Sequence, residues 1–266
     1  MYRAWKMNKL RLIIQALAFA FSNGYIKGFS SAKIYKGRLK NFCNPGLNCY
    51  SCPGSVLSCP IGALKSVSPF SLYVFGFLFL IGTIFGRAVC GWICPFGFIQ
   101  RLLYMIPVKN KRKNIIGHDK LKYLKYFVLL ISVLILGNFC EFICPAGMLL
   151  GAIPLTIISS SIRELIGSTF FIKAAILILF IVLSIYYARP FCKYICPLGA
   201  IYSLFNPISI IKLHVDETKC TVCGTCKKSC PMDISVWKDS RSLECIRCGS
   251  CISSCPHKAI EIISSL

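Results

Sequence analysis

The chain alternates between long apolar runs and short polar segments that carry most of its cysteines. The four longest apolar runs cover residues 10–25, 68–85, 123–137 and 170–187. A transmembrane helix needs about 20 consecutive apolar residues, so these runs predict about four membrane spans. The first run is short and contains Arg11, and for it a helix lying at the membrane surface is the alternative.

An internal repeat follows three of these runs. Each copy reads C-x3-C-P-x-G and leads into a second, shorter apolar segment, at Cys90–Gly97, Cys140–Gly147 and Cys192–Gly199. Proline is favoured at the first position of a helix, so the preceding cysteine becomes its N-cap, where the helix dipole favours a thiolate. The repeat therefore predicts three half-helices that re-enter the membrane and carry cluster ligands. Buried cysteines acting as small apolar side chains are the alternative.

The C-terminal residues 212–266 contain two copies of C-x2-C-x2-C-x3-C-P. This is the spacing of bacterial ferredoxins with two [4Fe–4S] clusters, in which the fourth cysteine of each copy ligates the other cluster. The predicted ligands of one cluster are Cys220, Cys223, Cys226 and Cys255. The predicted ligands of the other are Cys245, Cys248, Cys251 and Cys230. Structural zinc is the alternative, but zinc ribbons use two C-x2-C pairs in place of this order.

A further cysteine group lies in the polar segment between the first two apolar runs. Its members are Cys43, Cys49, Cys52 and Cys59. Four thiols within so few residues, in a chain that already carries a ferredoxin pattern, predict another iron–sulfur site. A disulfide is the alternative, which gains weight if the segment faces an oxidising compartment.

Composition supports a membrane protein and excludes several other classes. Of the 266 residues, 56% are hydrophobic, which is high for a soluble domain. The net charge is +22, but the basic residues lie between the apolar runs, so the positive-inside rule explains them better than nucleic-acid binding. The chain has only three histidines and neither C-x-x-C-H nor G-x-G-x-x-G, which argues against haem and nucleotide sites.

Charge also predicts the orientation. The densest basic loop, residues 109–125, is expected in the cytoplasm together with the N-terminus and the ferredoxin domain. This topology places Cys90, Cys94, Cys192 and Cys196 at the inner face, enough for one cluster. It places six cysteines at the outer face: Cys43, Cys49, Cys52, Cys59, Cys140 and Cys144. The competing assignment divides each C-x3-C pair between two clusters, as in ferredoxins.

Two of the C-x3-C-P-x-G copies, at Cys90 and Cys192, and the C-terminal pattern together resemble the polyferredoxin membrane proteins of the NapH, NosR and CcoG type. The resemblance implies a membrane all-α bundle over residues 1–211 and an α+β bacterial-type ferredoxin domain over 212–266. It also implies electron transfer as a component of an oxidoreductase system. The Cys140 pair and the Cys43–Cys59 segment go beyond the simplest NapH-like plan, which favours redox sites beyond it.

The expected function is to pass electrons between a cytoplasmic donor and an extracytoplasmic acceptor, with an FMN-binding protein as a candidate partner. The expected cofactors are two [4Fe–4S] clusters in the ferredoxin domain and two more in the membrane domain. The expected location is the cytoplasmic membrane. A quinol dehydrogenase subunit and a redox-sensing regulator are the alternatives. In the first, Phe and Tyr beside the motifs would line a quinone pocket, although anchoring at the membrane interface is the favoured interpretation of these aromatic residues.

Overall fold

A computed structural model describes residues 2–31, 33–64, 69–115, 117–135, 137, 139–164 and 166–264. Among the described residues, helices and their connecting segments extend to residue 205, and both strands lie near the C-terminus. The N-terminal half begins with helices α1 (Tyr2–Ser22), α2 (Lys27–Ser31), α3 (Pro60–Ala63), α4 (Pro69–Phe85), α5 (Ala88–Trp92), α6 (Pro95–Met105), α7 (His118–Leu121) and α8 (Leu124–Val128). A 3-10 turn, Arg38–Asn41, lies between α2 and α3.

The second half of the helical part continues from α8 with a π-helical stretch, Leu129–Ile135. Then follow α9 (Phe139–Phe142), α10 (Pro145–Gly147), a second π-helical stretch (Met148–Ala152), α11 (Ile153–Ile158), α12 (Ser160–Arg163), α13 (Ser168–Tyr186), α14 (Pro190–Tyr194) and α15 (Pro197–Phe205). The last elements are β1 (Ile211–Val215), α16 (Thr225–Ser229), α17 (Ser250–Ser254) and β2 (Ile260–Ser264).

The four predicted spans take four different forms. Within the described residues, α13 is the one helix long and apolar enough to cross a membrane, and it matches the fourth predicted span. The second span forms the shorter helix α4, and its predicted first residue, Ser68, lies outside the described residues. The third span is irregular, because α8 passes into a π-helix. The four-span bundle stays a prediction.

Helix α1 begins eight residues before the first predicted span. It is about 30 Å long at 1.5 Å per residue. Its buried face places Arg11 Nε and Gln15 Nε2 each 2.9 Å from the carbonyl oxygen of Gly91. The opposite face exposes an apolar stripe at helical spacing: Leu10, Ile13, Leu17 and Phe21.

The ferredoxin domain is built as two similar halves. Strands β1 and β2 pair antiparallel, with Ile211 opposite Ser264. Gly224 and Gly249 cap the short helices α16 and α17 with φ of 74°, a backbone conformation that glycine adopts without strain. The domain's small core joins Leu213, Val236 and Ile260 to cysteines of both halves.

The ferredoxin domain packs closely against the helical part. A Cβ atom added to Gly91 would lie 2.4 Å from the carbonyl oxygen of Ile246, so glycine permits this close approach. Trp92 Nε1 donates a hydrogen bond to the carbonyl of Arg247 (3.0 Å). Arg247 in turn donates to the carbonyl of Phe85 at the end of α4 (2.8 Å). The cysteines of the two parts are thereby held at one interface.

Candidate iron–sulfur sites

The first and third C-x3-C-P-x-G repeats meet at one site. The thiols of Cys90, Cys94, Cys192 and Cys196 are all at most 5% exposed and interact electrostatically with one another. Cys94 and Cys196 are the N-caps of α6 and α15. Each Sγ accepts the backbone N–H three residues on, at 3.4 and 3.3 Å, which confirms the predicted caps. We call these four residues the junction thiols.

Arginines join the two repeats reciprocally. Arg87, three residues before Cys90, donates from Nη2 to the carbonyl of Cys192 (2.9 Å). Arg189, three residues before Cys192, donates from Nη1 to the carbonyl of Cys90 (2.6 Å). Each repeat therefore orients the cysteine-bearing turn of the other, which gives the site an approximate two-fold relation.

Burial makes the junction thiols poor thiolates by themselves. Desolvation raises the pKa of Cys90 to about 11 and that of Cys94 to about 12, because a charged sulfur loses its hydration. A metal ligand must be deprotonated, so iron would have to displace these protons. Ligation of an iron–sulfur cluster by these thiols would supply that driving force.

In the described part of the chain, the buried cations around the junction thiols outnumber the acidic side chains that pair with them. Arg11, Arg87, Lys125, Arg189, Lys193 and Arg247 are all at most 5% exposed. Two of these cations, Arg87 and Lys125, share one carboxylate, that of Glu244. Arg87 Nε and Arg189 Nη2 are buried without a hydrogen-bond partner in the described part of the chain. Buried charges are normally paired, so a site with this excess fits an anionic thiolate-bound cluster.

Within the described ranges, no set of three or more His, Cys, Asp or Glu side chains has the geometry of a single-ion metal site. The argument against structural zinc remains the ferredoxin order of the cysteines, in place of the two C-x2-C pairs of a zinc ribbon.

The ferredoxin cysteines fall into the two groups that crossed ligation predicts. Cys230 of the first half interacts electrostatically with Cys245, Cys248 and Cys251 of the second. Conversely, Cys255 of the second half lines one small cavity with Cys220, Cys223 and Cys226 of the first. We call these the near and far ferredoxin thiols, because the near group lies toward the junction. Their ligation of clusters stays a prediction.

The second repeat pairs with the N-terminal segment. A cavity of about 630 Å³ is lined by Cys49, Cys59, Cys140 and Cys144, which we call the cavity thiols. A Cβ atom at Gly151, just after the repeat, would lie only 3.2 Å from Cys49 Sγ. Cys144 is the N-cap of α10, although its sulfur makes no capping hydrogen bond there.

Cys43 and Cys52 lie apart from this cavity lining. Cys43 is buried close to Cys59, and burial raises its pKa to about 11. Cys52 accepts backbone N–H groups from Gly54 and Ser55, and it lies near the buried Lys40. Neither thiol is disulfide-bonded in the structure. The six cysteines predicted at the outer face therefore divide into four cavity thiols and two neighbours.

The N-terminal segment also touches the junction thiols directly. The backbone N–H of Leu47 donates to Cys94 Sγ at 3.4 Å, and a Cβ at Gly46 would lie 2.6 Å from Cys94 Cα. Tyr202 lies within electrostatic range of Cys90, Cys94, Cys43 and Cys59. The sequence prediction placed the N-terminal cysteines and the junction thiols at opposite faces of the membrane. In the structure the N-terminal segment folds against the junction thiols, so the two groups are neighbours.

Sequence reasoning missed the buried cations. A signal was present, because repeats one and three read R-x2-C-x3-C-P, whereas the second repeat has Gly137 at the arginine position. That difference separates the two repeats that share the junction from the one that joins the N-terminal segment. Glu244 and Lys125 carry no such signal, since only folding brings them to Arg87.

Comparison with known families gives two matches. A family described as "4Fe-4S binding domain" matches residues 67–114, 126–153 and 169–214. A family described as "4Fe-4S dicluster domain" matches residues 212–256. Together they cover most of the chain, so the prediction of several [4Fe–4S] clusters is confirmed.

Three relatives illustrate the similarity. An uncharacterized protein of Methanocaldococcus jannaschii is 35% identical over 171 residues, 62% of this chain and 59% of the relative. The methylamine utilization ferredoxin-type protein MauN of Methylobacillus flagellatus is 26% identical over 168 residues, 60% of this chain and 53% of MauN. The putative electron transport protein YccM of Escherichia coli is 25% identical over 187 residues, 66% of this chain and 50% of YccM.

The matched region thus spans between half and three fifths of the length of these relatives. No solved structure matches the chain.

Proposed function

Because the chain belongs to the polyferredoxin-type family of 4Fe–4S proteins, we propose that it transfers electrons between a cytoplasmic donor and an extracytoplasmic acceptor. Four [4Fe–4S] clusters, bound at the far, near, junction and cavity thiols, would supply the one-electron carriers. An FMN-binding protein is a candidate partner.

The observation that carries this proposal is the order of the four thiol groups along one line of contacts. The far and near ferredoxin thiols share the domain core through Cys226 and Cys251. Gly91, next to Cys90, contacts Ile246, next to Cys245. Leu47, two residues before Cys49, contacts Cys94. Each group is therefore joined to the next by its own cysteines or by residues one or two positions from them.

Membrane insertion is proposed from the exposed apolar faces. Besides α1, helix α4 exposes Leu72, Phe75, Phe79 and Leu80, and α13 exposes Phe171, Ile172, Ile178, Leu179 and Val182. A soluble surface rarely exposes so large an apolar area, whereas lipid would cover it. The ferredoxin domain, together with the basic loop 109–125 that contacts it, is proposed to face the cytoplasm.

The test is cysteine replacement in the full chain, purified without oxygen. Cys94→Ser and Cys196→Ser should each remove about one cluster's worth of iron and the same electron paramagnetic resonance signal. Cys144→Ser should remove a different signal, and Cys43→Ser is the matched control, because Cys43 lies outside the cavity lining. Loss of one common signal in Cys94→Ser and Cys144→Ser would contradict separate junction and cavity sites.

A second candidate function, a quinol dehydrogenase subunit, is favoured by the cavity itself. Its volume of about 630 Å³ lies in the range of small-molecule sites, and Ala63, Ala152 and Leu155 give it an apolar wall. Reduction of the anaerobic protein by a soluble quinol would favour this function. Reduction only by a low-potential cytoplasmic donor would favour the first.

A further inference from the structure

A second cavity lies where α1 and α6 meet the ferredoxin domain. It has a volume of about 350 Å³ and is lined by three arginines and four serines, with no acidic side chain in its lining. The arginines are Arg11, Arg101 and Arg189, and the serines are Ser229, Ser250, Ser253 and Ser254. The three guanidinium groups are close enough to repel one another electrostatically.

The arginines have unused donors in this cavity. Arg189 is 3% exposed, and its Nη2 has no hydrogen-bond partner among the described residues. Arg11 is 4% exposed, and its Nε donates a hydrogen bond to the carbonyl of Gly91. Its two terminal nitrogens have no hydrogen bond in the described part of the chain. Arg101 is held in place by Gln15 (2.8 Å) and Asn8 (2.9 Å). Each guanidinium carries five N–H donors, so all three have some to spare.

This donor set is suited to a phosphate. Guanidinium groups bind phosphate oxygens through paired, charge-assisted hydrogen bonds, and serine hydroxyls add neutral donors. A phosphate offers up to four oxygens to the three guanidinium groups, whereas a carboxylate offers two and a halide offers a single acceptor atom. The chemistry therefore selects an anion with several oxygens.

The surroundings of the cavity also match a lipid headgroup. Leu10, Leu102 and Met105 are 48%, 43% and 57% exposed, on the same two helices that bear Arg11 and Arg101. On the other side lies the polar ferredoxin domain. An apolar surface and a polar one thus meet at the arginines, as acyl chains and water meet at a headgroup.

We propose that this arginine pocket binds a phosphate group, supplied by the headgroup of an anionic lipid or by a soluble phosphate, at the junction of the helical part and the ferredoxin domain. The competing explanation is that the arginines only balance the charge of the neighbouring thiolates, since Arg11 also lies near Cys248 and Cys230. The two explanations differ in whether an external anion binds.

The experiment uses the full-length protein with its clusters, purified in detergent without oxygen. Native mass spectrometry with equal amounts of dioleoylphosphatidylglycerol and dioleoylphosphatidylcholine should show one retained phosphatidylglycerol. Isothermal titration calorimetry with inorganic phosphate is the second arm.

Arg101→Gln should weaken binding about tenfold in whichever arm is positive, because it removes charge-assisted hydrogen bonds. Arg241→Gln, an exposed arginine on the ferredoxin domain, is the control.

Lipid retention that inorganic phosphate does not displace identifies the lipid as the source. Phosphate binding without lipid retention identifies a soluble phosphate compound. If neither binds, or if Arg101→Gln and Arg241→Gln behave alike, the proposal is overturned and the arginines serve the thiolates alone. Should Arg101→Gln lose iron, Arg101→Lys takes its place: it keeps the charge but loses the paired donors, and binding must still weaken.

Discussion

Replacement of Arg87 by glutamine tests whether a buried charge network holds the ferredoxin domain to the helical part. Arg87 is fully buried and donates from Nη1 to Glu244 Oε2 (2.6 Å) and to the carbonyl of Leu243 (3.2 Å). Lys125, also fully buried, pairs with the other oxygen of Glu244. The three side chains therefore join α8 and the start of α5 to the ferredoxin domain.

The magnitude follows from what each substitution leaves behind. Removing one partner of a buried ion pair costs about 3–5 kcal/mol, because the other charge stays buried and unpaired. In Arg87→Gln, Glu244 keeps Lys125, so we expect the lower end, about 3 kcal/mol. Glu244→Gln leaves two cations without their carboxylate, so we expect the upper end, about 5 kcal/mol.

The assay is thermal unfolding of the anaerobic protein in detergent at one scan rate, with iron content measured on the same samples. At roughly 2–4 °C per kcal/mol for a chain of this size, Arg87→Gln should lower Tm by roughly 6–12 °C. Lys219→Gln is the matched control, because it breaks the exposed pair with Asp216 and should leave Tm unchanged.

Two results would refute this reasoning. If Arg87→Gln behaves like Lys219→Gln, the buried network does not stabilise the interface. If Glu244→Gln is milder than Arg87→Gln, the unpaired cations are not the source of the cost.

Two further predictions concern packing and topology. Gly91→Ala should loosen the ferredoxin domain and speed its proteolysis, because the added Cβ would lie 2.4 Å from the carbonyl oxygen of Ile246. Gly167→Ala is the control, because a Cβ added there would meet no atom within 4 Å. Equal rates of proteolysis for the two variants would contradict the close approach at Gly91. Accessibility tags near Lys111 and after Leu266 should both be protected in sealed right-side-out cells, since the basic loop is expected inside; labelling of either tag from outside would overturn the orientation.

The sequence predicts the local chemistry better than the spatial grouping. Pro95 and Pro197 predict helix starts because proline needs no N–H partner there, and both helices begin at those residues. The ferredoxin spacing likewise predicts which thiols of one half approach the other. These features depend on a few neighbouring residues, so a single chain reveals them.

Grouping of the remaining cysteines depends on tertiary packing. Counting spans assigns Cys49 and Cys144 to one face of the membrane and Cys94 to the other. It cannot show that the loop between α2 and α3 folds against Cys94. Leu47 reaches Cys94 because Asn44 and Asn48 fix the loop against Ser22 at the end of α1. Such side-chain bonds between distant residues leave no periodic pattern in the sequence.

The arginine before each of two repeats links the fold to its cofactors. Arg87 and Arg189 cross-connect the turns of Cys192 and Cys90, so these repeats can close only around each other. Arg87 Nε is nevertheless buried without a hydrogen-bond partner among the described residues. Bringing such cations out of water is costly unless an anion joins them. We therefore expect the junction to be most stable when its thiols hold an anionic cluster, so that cluster insertion is coupled to closure of the two repeats.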